Sequence, residues 1–108
     1  MSMSKIAKDY IEKTLRFGYV PEGVVDWLRY SRDFGGINFS FEEKDGVVVA
    51  KSKNFRYGTI LTTGKDLDEA DRNVRDAILT AFEIPSVYVK EGLITKEGEK
   101  HAVTYVGA

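Results

Sequence analysis

The sequence predicts an α+β domain: an antiparallel sheet of three to four strands in β-β-β-α-β order, with one long helix packed on it and two helices ahead of it. Three observations carry that prediction. An Asp45-Gly46 pair separates two runs of alternating and apolar residues, Asp66 and Glu69 stand at capping-box spacing, and Leu67, Ala70, Val74, Ala77, Ile78, Ala81 and Phe82 recur at helical intervals behind them.

The N-terminal third reads as helical. Ile6, Ala7, Tyr10, Ile11, Thr14 and Leu15 form one broad stripe, which predicts an amphipathic helix from Ser4 to Phe17 ending at Gly18. A second helix follows Pro21, since proline suits the first helical position. Val24, Trp27, Leu28 and Ser31 share a face there, and Gly35-Gly36 stops it.

The strands follow. Ile37, Phe39 and Phe41 alternate with Asn38, Ser40 and Glu42, so the first strand has one apolar face. A two-residue Asp45-Gly46 loop, in which both positions need positive φ, pairs Lys44 with Val47 and makes Phe41 the neighbour of Ala50. Val48 then lies on the Phe41 side, and Val47 and Val49 lie on the other. If the long helix covers the Phe41 side, the valines require either the N-terminal helices or a second copy of the chain. Past the long helix, Pro85 ends helical structure, Val87, Tyr88 and Val89 suggest a fourth strand, and Leu93 to Val106 suggest a hairpin around Glu97-Gly98. The whole chain, 1–108, reads as one domain: a helical segment over 1–36, the core over 37–90 and a C-terminal hairpin or tail over 91–108.

Composition narrows the function. With 43% apolar residues in 108, the chain buries enough surface to fold without a staple, and with no cysteine it has no thiol nucleophile, thiolate zinc site or disulfide. Sixteen basic and seventeen acidic residues are interleaved, which gives no electrostatic case for nucleic-acid or membrane binding. No long apolar run or signal-peptide pattern is present, so the expected compartment is the cytoplasm.

The candidate chemistry is thin. His101 is the single histidine and has no second ligand at metal-binding spacing, so it reads as a surface or edge-strand residue. Asp66, Asp68, Glu69 and Asp71 resemble a divalent-cation cluster, but Asp66 and Glu69 have the spacing of caps, and Asp68 with Arg72 and Asp71 with Arg75 have that of i,i+4 ion pairs on a solvent face. Glu42-Glu43-Lys44-Asp45 is a hairpin tip. Gly58, Gly64 and Gly92 belong to turns and strand ends, with no phosphate-cradling pattern. The reading therefore assigns no catalytic, cofactor-binding or metal-binding residue and no cofactor, and expects no enzyme. Helix, three strands and helix is also the order of double-stranded-RNA-binding domains, but Lys65-Asp66-Leu67-Asp68-Glu69 would set three carboxylates against phosphates. Phe55, Tyr57, Tyr88 and Tyr105 read as core or interface aromatics rather than base-stacking platforms.

The stretches FEEKDGVVVAKSKNF and GTILTTGKDLDEADRNVRDAILTAF resemble the HicB-like antitoxin family, whose core runs as an acidic strand, a DG turn, an apolar strand ending in Ala, a loop, a Gly and a helix that starts T-L-E-E-A. Asp45, Gly46, Ala50, Gly64, Leu67, Glu69, Ala70 and Ala77 occupy the matching places. Asp66 stands where the family usually has Thr, and Phe55-Arg56-Tyr57 replaces its usual Pro and Gly loop. The resemblance implies a HicB-like, partial RNase H-like fold and a non-catalytic protein that binds and neutralises a small basic toxin protein that cleaves messenger RNA. Many members carry a separate DNA-binding segment as well. None is visible after the core here, and the N-terminal helices are nearly balanced in charge, at six basic to five acidic residues from Met1 to Asp33. The expectation is thus a protein acting by protein contacts in a toxin-antitoxin system, with an uncharacterised ligand-binding or regulatory domain as the alternative. Homo-oligomerisation is expected from the valine run and from the aromatic residues Tyr10, Phe17, Trp27 and Tyr30 on the N-terminal helices.

Overall fold

The computed structural model describes residues 22–85, 93–99 and 101–107. Helix α1 (Glu22–Phe34) leads into strands β1 (Ile37–Lys44), β2 (Val47–Ser52) and β3 (Leu61–Gly64), then helix α2 (Leu67–Ala81), then the hairpin β4 (Ile94–Glu99) and β5 (Ala102–Gly107). The five strands form one antiparallel sheet in the order β3-β2-β1-β5-β4. The architecture is α+β, as expected, but the sheet has five strands rather than three or four. The predicted helix from Ser4 to Phe17 and the predicted strand at Val87–Val89 lie outside the described residues.

The first hairpin has the register its turn dictates. Asp45 and Gly46 take φ of 52° and 80°, Lys44 pairs with Val47, and Phe41 pairs with Ala50. Ile37, Phe39, Phe41, Val48, Ala50, Val103 and Tyr105 consequently share one buried face. Helix α2 lies on this face, opened by Asp66, whose Oδ1 accepts from the Glu69 N–H at 2.8 Å, while Glu69 Oε1 accepts from the Lys65 N–H at 3.2 Å. Gly64 lets the helix sit down on the sheet. A Cβ there would come within 2.8 Å of Ala70 Cα.

Two sequence expectations need correction. The buried stripe of α2 is Ala70, Val74, Ile78 and Leu79, with Leu67 and Ala77 only partly buried and Ala81 exposed. The C-terminal hairpin does not turn at Glu97-Gly98: pairing runs on to Glu99 with Ala102, and Gly98 is a strand residue paired with Val103, in spite of its φ of 110°.

Helix α1 packs on the same face as α2. Trp27 is fully buried edge-on to Phe82, with ring centroids 5.3 Å apart, and its indole N–H donates to the Leu93 carbonyl at 3.1 Å. Ser31 Oγ accepts from the Gly107 N–H at 2.7 Å, tying α1 to β5. Two consequences follow for the oligomer expectation. Trp27 and Tyr30 are hidden inside the domain, so they supply no surplus aromatic surface, and α1 does not cover the face that carries Val47 and Val49.

Candidate functional site

Three surfaces remain once the core is closed. The first is the sheet face that neither described helix covers, formed by the residues that alternate with the buried ones. Val47 is 39% exposed and Leu61 64% exposed, with half-buried Val49 near them on β2, Ser40, Lys51 and Glu42 on the same face, and half-buried Val106 at its far end on β5. Asn38 anchors this face, its Oδ1 accepting from Thr104 Oγ1 at 2.7 Å.

The second surface runs beside the N-terminal half of α2. An open cleft of about 640 Å³ between α2 and the β1 and β2 ends is bordered by Glu42, Glu43, Asp66, Asp68, Lys65 and His101 over Phe41 and Val48. It continues past Leu67 to Asp71, Lys96 and Tyr105. Asp71 is not on a solvent face, as its spacing suggested. Its Oδ1 accepts from the Tyr105 hydroxyl at 2.6 Å and its Oδ2 from Arg75 Nε at 3.0 Å, with Lys96 Nζ 3.7 Å from Oδ1. Burial pushes the Asp71 carboxyl up, but the bonds from Tyr105 and Arg75 and the charges of Arg75 and Lys96 outweigh it, so the group lies below its ordinary value. Burial, then the Asp71 bond and charge, hold the Tyr105 phenol far above its usual range. Arg75 also donates to the Ile94 carbonyl at 2.8 Å, and its guanidinium lies 5.6 Å from the Tyr105 ring centroid. Among the described residues, Asp68 and Arg72 form no ion pair, and no group of three or more histidines and carboxylates is placed to hold a metal ion. This is a structural tie between helix and sheet.

His101 sits exposed at the β4–β5 turn, where Nδ1 is 3.2 Å from the Phe41 carbonyl and its own carbonyl accepts from the Phe41 N–H at 3.1 Å. It is the surface residue its context suggested. Tyr105 is fully buried, Phe55 is half-buried, and Tyr88 and Gly92 lie outside the described residues.

The third surface was not foreseen as a unit. The loop from Lys53 to Ile60 is held at both ends, by Ser52 N–H to the Ile60 carbonyl at 2.9 Å, by Ile60 N–H to Ser52 Oγ at 2.8 Å and by Asn38 N–H to Asn54 Oδ1 at 2.8 Å. The Tyr30 hydroxyl accepts from the Arg56 N–H at 3.0 Å and lies 3.4 Å from the Asn54 carbonyl, to which it donates. So clamped, the loop sets Phe55 and Tyr57 against Tyr30, Phe34 and Phe82. Centroid separations from Tyr30 are 4.8 Å to Phe34, 5.5 Å to Phe55, 5.6 Å to Tyr57 and 5.6 Å to Phe82. An open groove of about 460 Å³ runs past these rings along the last turns of α1 and α2. Phe55-Arg56-Tyr57 and the Trp27-Tyr30-Phe34 spacing were the available sequence signals, but nothing in the chain order says that they meet.

No family model, curated protein or solved structure matches this chain significantly. Among the described residues no helix is long and apolar enough to cross a membrane.

Proposed function

We propose that this chain is a non-catalytic, HicB-like module that works through protein contacts, associating with a second copy of itself and taking a small basic toxin protein as partner. The observation that carries the reading is the sheet face that neither described helix covers, which leaves Val47 and Leu61 exposed with half-buried Val49 between their strands, while both described helices pack on the opposite side. Glu42 and Lys51 lie on this same face, so a two-fold axis passing between them would set each against its opposite charge in the second copy. The Asp45-Gly46 hairpin, followed by a strand, Gly64 and a helix opened by a capping residue, is consistent with the element order that the resemblance implies. In the cleft, the carboxylates Glu43, Asp66 and Asp68 outnumber Lys65, which suits a basic partner.

Light scattering tests the self-association. A mass of twice 12.2 kDa that falls toward 12.2 kDa in Leu61→Lys is expected, and a concentration-independent 12.2 kDa mass in the unmodified protein overturns it. The partner is tested by co-expression with the product of a short neighbouring gene encoding a basic protein with one histidine. Relief of that protein's growth arrest, with co-purification of the two, is expected. Unrelieved arrest removes the antitoxin reading.

A further inference from the structure

The two edges of the sheet are finished differently. At one end β4 carries exposed Lys96 and Glu97 beside Gly98, which sits at a φ of 110° outside the strand region, and Arg75 Nη1 occupies the Ile94 carbonyl at 2.8 Å. Charges, irregular backbone and an occupied carbonyl are what keep an edge from pairing with another strand. At the other end β3, Leu61-Thr62-Thr63-Gly64, holds no charged residue, no proline and no positive φ, and Leu61 is 64% exposed on it.

The direction of the β3 backbone groups follows from its pairing with β2. Residues of an antiparallel strand alternate between bonding the neighbour and pointing away from it. The Ile60 carbonyl accepts from the Ser52 N–H at 2.9 Å, so Ile60, Thr62 and Gly64 turn toward β2 while Leu61 and Thr63 turn outward. In agreement, the Thr63 carbonyl accepts from Asn73 Nδ2 on α2 at 2.6 Å, which leaves it a second lone pair. Among the described residues no strand stands beyond β3 to take the outward groups.

An antiparallel mate whose Thr63 stands opposite Leu61 satisfies all of those groups at once, and a second copy of β3 meets that condition when a two-fold axis passes through Thr62. Each Leu61 then exchanges two bonds with Thr63 of the other copy. A two-fold axis sets a residue against itself, so the residue on it must be uncharged. Thr62 fits, whereas the middle of β4 offers only Lys96 and Glu97.

We infer that β3 pairs edge to edge with β3 of a second copy, antiparallel about an axis at Thr62, so that the two sheets run on as one. Thr62 is half-buried on the helix-covered side, opposite Ala50 in β2, so this contact is separate from the open-face association proposed above.

The chain has no cysteine, so a single introduced thiol reports a single contact. Directly opposed residues of a non-bonded antiparallel pair have Cα atoms about 4.5 Å apart, within disulfide reach, and cysteine is close to threonine in size. Under mild oxidation, Thr62→Cys is expected to form a cross-linked dimer on the order of tenfold faster than Glu97→Cys on β4, because pairing raises the effective concentration of one thiol at the other. Adding Thr63→Pro removes an outward donor at an edge position and keeps the carbonyl that Asn73 binds, so it is expected to return cross-linking to the β4 rate. A Thr62→Cys rate no faster than that of Glu97→Cys leaves the edge to some other chain and overturns the inference, as does cross-linking that survives Thr63→Pro. The thiol lies on the helix side, where open-face association cannot join it to its mate. Light scattering under reducing conditions reads that association separately, so failure of one proposal leaves the other standing.

Discussion

The Tyr105 hydroxyl and the Asp71 carboxylate, on the central sheet and on α2, stand 2.6 Å apart and form the shortest side-chain tie between the two layers given above. A buried phenol needs an acceptor, and a partly buried carboxylate needs donors. Each supplies what the other requires.

Tyr105→Phe is therefore expected to lower stability by about 1.5 kcal/mol at neutral pH, in urea denaturation, because a hydrogen bond to a charged group is lost. The pH dependence has a definite sign. The Asp71 carboxyl is lower in the folded than in the unfolded chain, so its contribution is fully present above the ordinary value of 3.8 and disappears as pH falls through the lower folded value. The unmodified protein should lose more stability than Tyr105→Phe on acidification across that window. Parallel acid profiles would show that the bond contributes nothing to the coupling.

Gly64→Ala should destabilise by about 3 kcal/mol, since the added methyl meets the backbone of Ala70 and neither helix nor strand can retreat without opening the seam. Chemical denaturation measures it. A loss under about 0.5 kcal/mol would mean that the helix rides higher on the sheet than described.

Charge scanning along α2 separates its true buried stripe from its periodicity. Val74 is fully buried and Ala77 only partly, so Val74→Asp should abolish cooperative folding while Ala77→Asp leaves a folded protein of lowered melting temperature. Equal effects would show that the two positions are equally enclosed.

The carboxylates near the start of α2 are engaged, Asp66 in the cap and Asp71 with Tyr105 and Arg75. Incubation of RNA or DNA with the protein and magnesium or manganese is expected to leave the substrate intact. Cleavage that disappears in Asp66→Asn or Asp71→Asn would overturn the non-enzymatic reading.

Local rules made the first hairpin and the long helix legible. Asp45-Gly46 has few conformations open to it, and Asp66 and Glu69 act over three residues. The second hairpin shows where such rules mislead: Glu97-Gly98 has turn composition, yet pairing with β5 draws Gly98 into a strand that continues to Glu99 opposite Ala102. The Asp71–Tyr105 tie joins residues far apart in sequence, and i,i+4 spacing alone accounts only for Arg75. The aromatic groove was hidden for the same reason. Tyr30, Tyr57 and Phe82 belong to three segments that only the tertiary fold brings into contact.

The strand order has a kinetic meaning. β1 meets β2 across two residues but meets β5 only after most of the chain has passed, Ile37 pairing with Tyr105. Closing that ladder carries a large loop-entropy penalty before any contact repays it, so β1, β2, β3 and α2 form the local nucleus and the C-terminal hairpin docks late. Until it docks, the outer edge of β1 lies open along Ile37 to Ser40, and an intermediate of that kind is the species from which strand exchange between two chains would start.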